Sequence, residues 1–125
     1  MNCSTVVAAI IKKNNLCLIV QRNKNKHLGL KWEFPGGKVE DQETLEEALI
    51  REIKEELNIT INVHKKIGKE KYTDNKINIV LHYFLCSHQS GIMKLNEHEN
   101  FVWVNKKDFN KYDFAEGDAS ILSLL

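Results

Sequence analysis

GGKVEDQETLEEALIREIKEELNI, Gly36 to Ile59, is the stretch on which the reading of this chain turns. It opens on two glycines behind Phe34-Pro35 and passes through a polar turn into one helix. Thr44-Leu45-Glu46-Glu47 has the form of a capping box, with Thr44 as N-cap and Glu47 reaching back. Leu45, Leu49, Ile53 and Leu57 recur every four residues, flanked by Ala48 and Ile50, with no proline or glycine between them. At about 100° per residue, Glu52 and Glu56 point with Leu45 and Leu49, and Glu55 lies about 60° further round. Three carboxylates therefore share an arc of roughly 100° beside the apolar stripe. A solvated acidic face would lie opposite that stripe. Like charges four residues apart weaken a helix by about 0.2–0.5 kcal/mol. Arg51 can offset one of them, and a hard divalent cation more, because Mg²⁺ and Mn²⁺ prefer carboxylate oxygens. The alternative is a charged surface helix, and helix geometry leaves both readings open.

The surrounding spacing separates them. Gly37, five residues, Glu43, seven residues, then Arg51-Glu52-Ile53-Lys54-Glu55-Glu56-Leu57-Asn58-Ile59 resembles the Nudix box, G-x5-E-x7-R-E-U-x-E-E-x-G-U with U a bulky aliphatic. One position departs: Asn58 stands where the motif has its last glycine. A residue just past a helix C-terminus often turns left-handed, and Asn is the best substitute for Gly there, so the loop is expected to survive. The resemblance covers most of the chain, with its specificity concentrated in residues 32–59. It implies an α/β fold, the Nudix α/β/α sandwich around a mixed β-sheet, with residues 1–125 as a single domain. The coarse order β-β-α-β-β-β-α is compatible with that fold.

Composition sets the outer limits. The 125 residues suffice for one domain with one core. A net charge of +1, with Lys and Arg spread along the chain, gives no basic block for a nucleic-acid polymer. No apolar stretch reaches membrane-spanning length, and the N-terminus lacks a signal-peptide layout. Cys3, Cys17 and Cys86 are odd in number and without CxxC spacing, so they read as free thiols of a cytoplasmic protein.

Along the chain, CSTVVAAII (residues 3 to 11) and LCLIVQ (Leu16 to Gln21) read as a hairpin of buried strands. ITINV from Ile59 and INIVLHYFLC from Ile77 read as two further strands, and Phe101 to Val104 as another. Residues 64 to 70 continue the first of these or form a loop. Lys106 to Phe109 reads as a helical turn, and Asp118 as the N-cap of a final helix. Phe34 could stack on a base or pack in the core. His82 has no partner at ligand spacing and reads as a strand residue.

The resemblance adds roles to particular positions. Lys38, just after the glycine pair, is placed to meet a phosphate; W-E-F-P-G-G-K-V-E looks like the MutT-type version of the segment, which implies the Gly36 carbonyl as a metal ligand. It implies Glu52, Glu55 and Glu56 as ligands, with Arg51 and Glu43 orienting loop and helix through a salt bridge. Arg22, fourteen residues before Gly36, and His27 match nucleotide-contacting positions. Glu97, six residues before Trp103, matches a further ligand or base. Asp118 falls where that branch reads the base. Catalysis would rest on Glu52, Glu56, Glu97 and Arg51; substrate binding on Arg22, His27, Phe34, Lys38 and Asp118; the metal on Gly36, Glu52, Glu55, Glu56 and Glu97.

The implied reaction is Mg²⁺-dependent hydrolysis, with Mn²⁺ as an alternative, of a nucleoside triphosphate to a monophosphate and pyrophosphate. The expected substrate is a small nucleotide, 8-oxo-dGTP first and a cytidine triphosphate second, in nucleotide-pool sanitation and DNA repair. A monomer or homodimer is expected, with no membrane partner. The lack of an extra N-terminal domain weighs against ADP-ribose. A catalytically idle nucleotide sensor would typically have lost box glutamates, and all are present here. A protein-interaction domain would be expected to show an exposed apolar stripe.

Overall fold

The two apolar runs form β1 (Ser4–Lys13) and β2 (Leu16–Gln21), turned at Asn14 with φ 57°. The structure is a computed structural model and describes residues 3–115 together with Asp118, Ile121 and Leu125. After β2 come β3 (Trp32–Glu33), β4 (Gly36–Lys38) and α1 (Leu45–Leu57). Next along the chain are β5 (Thr60–Thr73), β6 (Asn78–Ser90), β7 (Asn100–Asn105) and a 3-10 helix at Lys106–Lys111. The strands form one mixed sheet in the order β3-β2-β1-β6-β5, with β4 on β1 and β7 on β2. β1 and β6 run parallel from Ser4↔Ile79 to Lys12↔Ser87, and the other pairs are antiparallel.

Alternation along β1 supplies two cores. Val7, Ala9 and Ile11 face α1, joined by Leu18 and Val20 of β2. Ala8 and Ile10 face the opposite layer with Cys17 and Ile19. A strand covered on both faces reads as an unbroken apolar run, as VVAAII does. From α1, Ala48, Leu49, Ile53 and Leu57 are buried against the first core. Phe109, Phe114 and Ile121 cover the other.

The short strands β3 and β4 and the length of β6 depart from the sequence reading, and β5 decides an alternative left open at residues 64–70. Trp32–Glu33 and Gly36–Lys38 are strands, too short to leave a periodic signal. β5 runs on to Thr73 through HKKIGKEK, as the sheet edge. Lysines on an edge strand discourage pairing with other chains, which explains why this stretch lacks apolar alternation. β6 likewise extends to Ser90, and the chain turns at Gly91 with φ 96°. The closing helix expected from Asp118 lies outside the described residues, apart from Asp118 and Ile121 themselves. All three cysteines are free, Cys17 and Cys86 buried within strands. Among the described residues, no helix is long and apolar enough to cross a membrane.

Candidate active site

α1 begins and ends as its sequence dictates. Thr44 Oγ1 accepts from Glu47 N at 3.1 Å, and Glu47 Oε1 accepts from Thr44 N at 2.8 Å, completing the capping box. Asn58 closes the helix at φ 62° in the left-handed region, so the departure from the motif glycine leaves the cap intact.

Arg51 organises the acidic face. Its Nε and Nη2 donate to Glu43 Oε2 and Oε1 at 2.7 and 2.9 Å, a bidentate pair. Nη2 also donates to the Lys38 carbonyl at 3.0 Å, and Nη1 to Glu52 Oε1 at 2.9 Å and Glu55 Oε2 at 3.2 Å. One guanidinium thus ties the 36–43 loop to two helix carboxylates. Hydrogen bonding from Arg51 holds the Glu43 carboxyl down at about 2, and Glu43 in turn raises the Arg51 pKa. Partners that orient ligating side chains matter by about 10–100-fold in affinity or activity. Arg51→Met is expected to lower kcat by about that factor. It should also lower the thermal midpoint, read by circular dichroism.

The glycine pair is explained by packing. A Cβ on Gly36 would stand 1.9 Å from the Val7 carbonyl oxygen, closing off the β4–β1 pairing. A Cβ on Gly37 would stand 2.3 Å from the Glu52 carboxylate. Gly37 therefore lets Glu52 lie flat against the backbone of β4.

Glu56 is the site's electrostatic anomaly. Its Oε1 is buried and has no hydrogen-bond partner. Burial, then the charges of Glu52, Glu33 and Glu97, push its pKa up to about 9. Burial also raises the Glu52 pKa, against the pull of the Arg51 guanidinium. Glu97 is delivered from another element. Asn96 fastens to the end of α1, its N donating to the Glu56 carbonyl at 3.0 Å and its Nδ2 to the Glu55 carbonyl at 2.7 Å. Glu97 then pairs with Lys26, Oε2 to Nζ at 2.9 Å, which lowers its pKa.

Among the described residues, no three His, Cys, Asp or Glu side chains are gathered as a ready-made ion site. The carboxylates expected to hold the metal, Glu52, Glu55 and Glu56 from helix spacing and Glu97 from the resemblance, do not form such a ready-made set, although Glu52 and Glu97 act on Glu56 strongly enough to raise its pKa. The cause is local charge: Arg51 draws Glu52 and Glu55 one way, and Lys26 draws Glu97 another. Glu55 is also more than half exposed, at 57% of its side chain. The residues nevertheless suit a hard divalent ion. A buried carboxylate oxygen without a donor, ringed by other carboxylates, lacks the positive charge that such an ion supplies.

A cavity of about 360 Å³ opens beside Glu56, bounded by Gly36, Lys38, Arg22, Glu97 and Asp118. Arg22 is engaged there, with Nη1 on Glu33 Oε1 at 2.8 Å and Nε on the His27 carbonyl at 2.8 Å. His98 Nε2 meets the other Glu33 oxygen at 3.2 Å. His27 is turned away to Asp74, Nε2 to Oδ2 at 2.6 Å, and lines a smaller adjoining pocket. The Phe34 ring is only 3% exposed and meets Tyr83, Phe109 and Phe114. Its core role wins over base stacking because three aromatics already enclose the ring. Asp118 is buried: its Oδ2 accepts from Phe34 N at 2.9 Å and its Oδ1 from Tyr83 Oη at 2.5 Å. Burial, with the Glu33 charge, raises its pKa to about 7. Lys26, Glu33, Asn96 and His98 have no role assigned in the sequence reading. Of these, Glu33, inside the motif-bearing segment, and Asn96 and His98, on either side of Glu97, carry a signal that could have singled them out.

A NUDIX domain profile matches residues 1–125. The chain is 33% identical over 117 residues to a CTP pyrophosphohydrolase of Escherichia coli, covering 94% of this chain and 87% of that protein. It is 31% identical over 119 residues to the 8-oxo-dGTP diphosphatase of Escherichia coli, covering 95% and 92%. The crystal structure of a MutT NUDIX hydrolase from Burkholderia pseudomallei superposes with a TM-score of 0.91 at 25% identity, covering 100% of this chain and 99% of that one. The chain belongs to the NUDIX family, hydrolases of phosphorus anhydrides that act on small nucleotide substrates and generally use divalent metal ions.

Proposed function

We propose that this chain hydrolyses a nucleoside triphosphate to the monophosphate and pyrophosphate, with 8-oxo-dGTP as its foremost substrate, and so removes a damaged nucleotide from the pool. The observation that carries the reading is the buried, donorless oxygen of Glu56, ringed by carboxylates beside a nucleotide-sized cavity. Glu52, Glu56, Glu97, the Gly36 carbonyl and, at the rim, Glu55 are the groups that would hold Mg²⁺. Bound there, the ion neutralises polyphosphate charge and acidifies a water.

The chain's own residues do the rest. Lys38, exposed beside the glycine pair, meets phosphate. Arg22 is preset by Glu33 for the nucleotide. Asp118 carries a proton below about pH 7, so it offers either an O–H to a base acceptor or an oxygen to a base N–H. A general base must be ionised. Glu97, an open glutamate whose pKa the Lys26 pair only lowers further, meets that condition at neutral pH with or without Lys26. Glu56 is protonated there and meets it only where positive charge offsets its acidic neighbours.

A cytidine triphosphate is the second reading, favoured by the 33% identity to a CTP pyrophosphohydrolase. A panel of 8-oxo-dGTP, dGTP, CTP, dCTP, ATP and ADP-ribose, assayed with Mg²⁺ for pyrophosphate and phosphate, decides between them. The expected result is pyrophosphate release from 8-oxo-dGTP, with kcat/KM about 10–200-fold above dGTP. A CTP maximum would install the second reading. Tight binding without turnover for every nucleotide would make the chain a sensor instead.

A further inference from the structure

Resting on the hydrolase reading above, we propose that Lys26 is an exchangeable counter-ion. It holds Glu97 while no cation is bound, and it turns to the substrate's polyphosphate once a cation takes Glu97. The Lys26 ammonium stands 2.9 Å from Glu97 Oε2, at the rim of the cavity that also meets Glu56, Gly36, Gly37 and Lys38.

The pair is built to part. Its two side chains are 53% and 45% exposed, and an ion pair so open to water contributes little. Nor does the loop need it. Residues 22–31 are closed by Arg22 N on the Lys31 carbonyl at 2.8 Å and Leu30 N on the Arg22 carbonyl at 3.0 Å. His27 fastens the far side to Asp74. Leu28 and Leu30 sit at φ 58° and 66°, a strained backbone that only a well-determined loop retains. A fixed backbone thus carries a flexible four-carbon stem whose charged end sits between a carboxylate and the cavity. A lysine in that position competes with a divalent ion for Glu97 and is released by it next to the incoming anion.

The test uses Mn²⁺ alone, titrated into the full chain without nucleotide and followed by electron paramagnetic resonance. Steady-state kinetics on the best nucleotide of the panel accompany it. Lys26→Met is expected to tighten Mn²⁺ by about 2–5-fold, the competition from an exposed pair having gone. The same variant should raise KM about tenfold with kcat within about threefold, the pattern of a lost binding contact. Lys26→Arg should restore KM. Lys24→Met, exposed on the same loop, should move neither quantity. A Lys26→Met protein with unchanged or weaker Mn²⁺ binding, or with unchanged KM, overturns the proposal. So does a Lys24→Met protein that shifts equally, which would reduce the effect to net charge. If the wild type itself binds no Mn²⁺, the hydrolase reading falls and this inference with it.

Discussion

Glu56→Gln is expected to cut turnover by about 10²–10⁴-fold and, at the same time, to make the metal-free protein more stable at alkaline pH. Glutamine keeps the shape but cannot ionise, so it loses both the ligand charge and any role as base. The stability effect comes from linkage. The folded protein holds the Glu56 proton up to about pH 9, whereas an ordinary glutamate releases it near 4.5. Between those values the folded state binds more protons than the unfolded one, so stability falls as pH rises. The ceiling on that loss is about 6 kcal/mol, at about 1.4 kcal/mol per pH unit, and water reaching a partly buried group lowers it. Urea unfolding in EDTA from pH 5 to 9 should show the decline in the wild type and a flatter profile in Glu56→Gln. Equal slopes in the two proteins would remove the basis for an uncompensated charge.

Asp118→Ala is expected to destabilise the fold by about 2–4 kcal/mol at pH 5, because two buried donors each lose the Asp118 oxygen they donate to. Those donors are Phe34 N and Tyr83 Oη, drawn from the loop after β3 and from β6. Asp118→Asn retains one acceptor oxygen and should lose less than half as much. The pH dependence again has a definite sign. The folded-state pKa of about 7 lies above the ordinary 3.8, so the wild type loses stability from about pH 4 to pH 7. The deficit of Asp118→Ala should therefore shrink towards pH 8. A deficit that widens with pH would mean that the carboxylate form is the one the fold prefers. Denaturant unfolding at pH 5 and pH 8 separates these outcomes.

The sequence discloses what is local or periodic. The α1 helix, both of its caps and the β1–β2 hairpin depend on neighbours within a few residues, and they are legible on that account. The salt bridge from Arg51 to Glu43 is legible through the motif spacing. The sequence conceals what depends on distant partners. Phe34 can stack or pack as far as its neighbours in the chain are concerned; Tyr83, Phe109 and Phe114 decide the matter by surrounding it. His27 looks free in the sequence, but Asp74, on the turn between β5 and β6, takes its ring nitrogen. The gathering of Glu52, Glu55, Glu56 and Glu97 is an expectation from helix angles and motif spacing. Neither says where Arg51 and Lys26 pull the carboxylates. For the glycine pair the resemblance implies only the Gly36 carbonyl as a metal ligand. The pair's immediate cause is the Val7 carbonyl on one side and the Glu52 carboxylate on the other. The role of Asn96 escapes a sequence reading because its target, the end of α1, lies some forty residues earlier in the chain.

The central claim is that the acidic end of α1 lacks a positive charge which a divalent ion supplies. Calorimetric titration of Mg²⁺ at pH 7, repeated in buffers of different ionisation enthalpy, tests it most directly. Because Glu56 is protonated at that pH without metal, binding should expel on the order of one proton per ion. Glu56→Gln should expel none. Binding without proton release in the wild type, or no binding at all, would contradict the account.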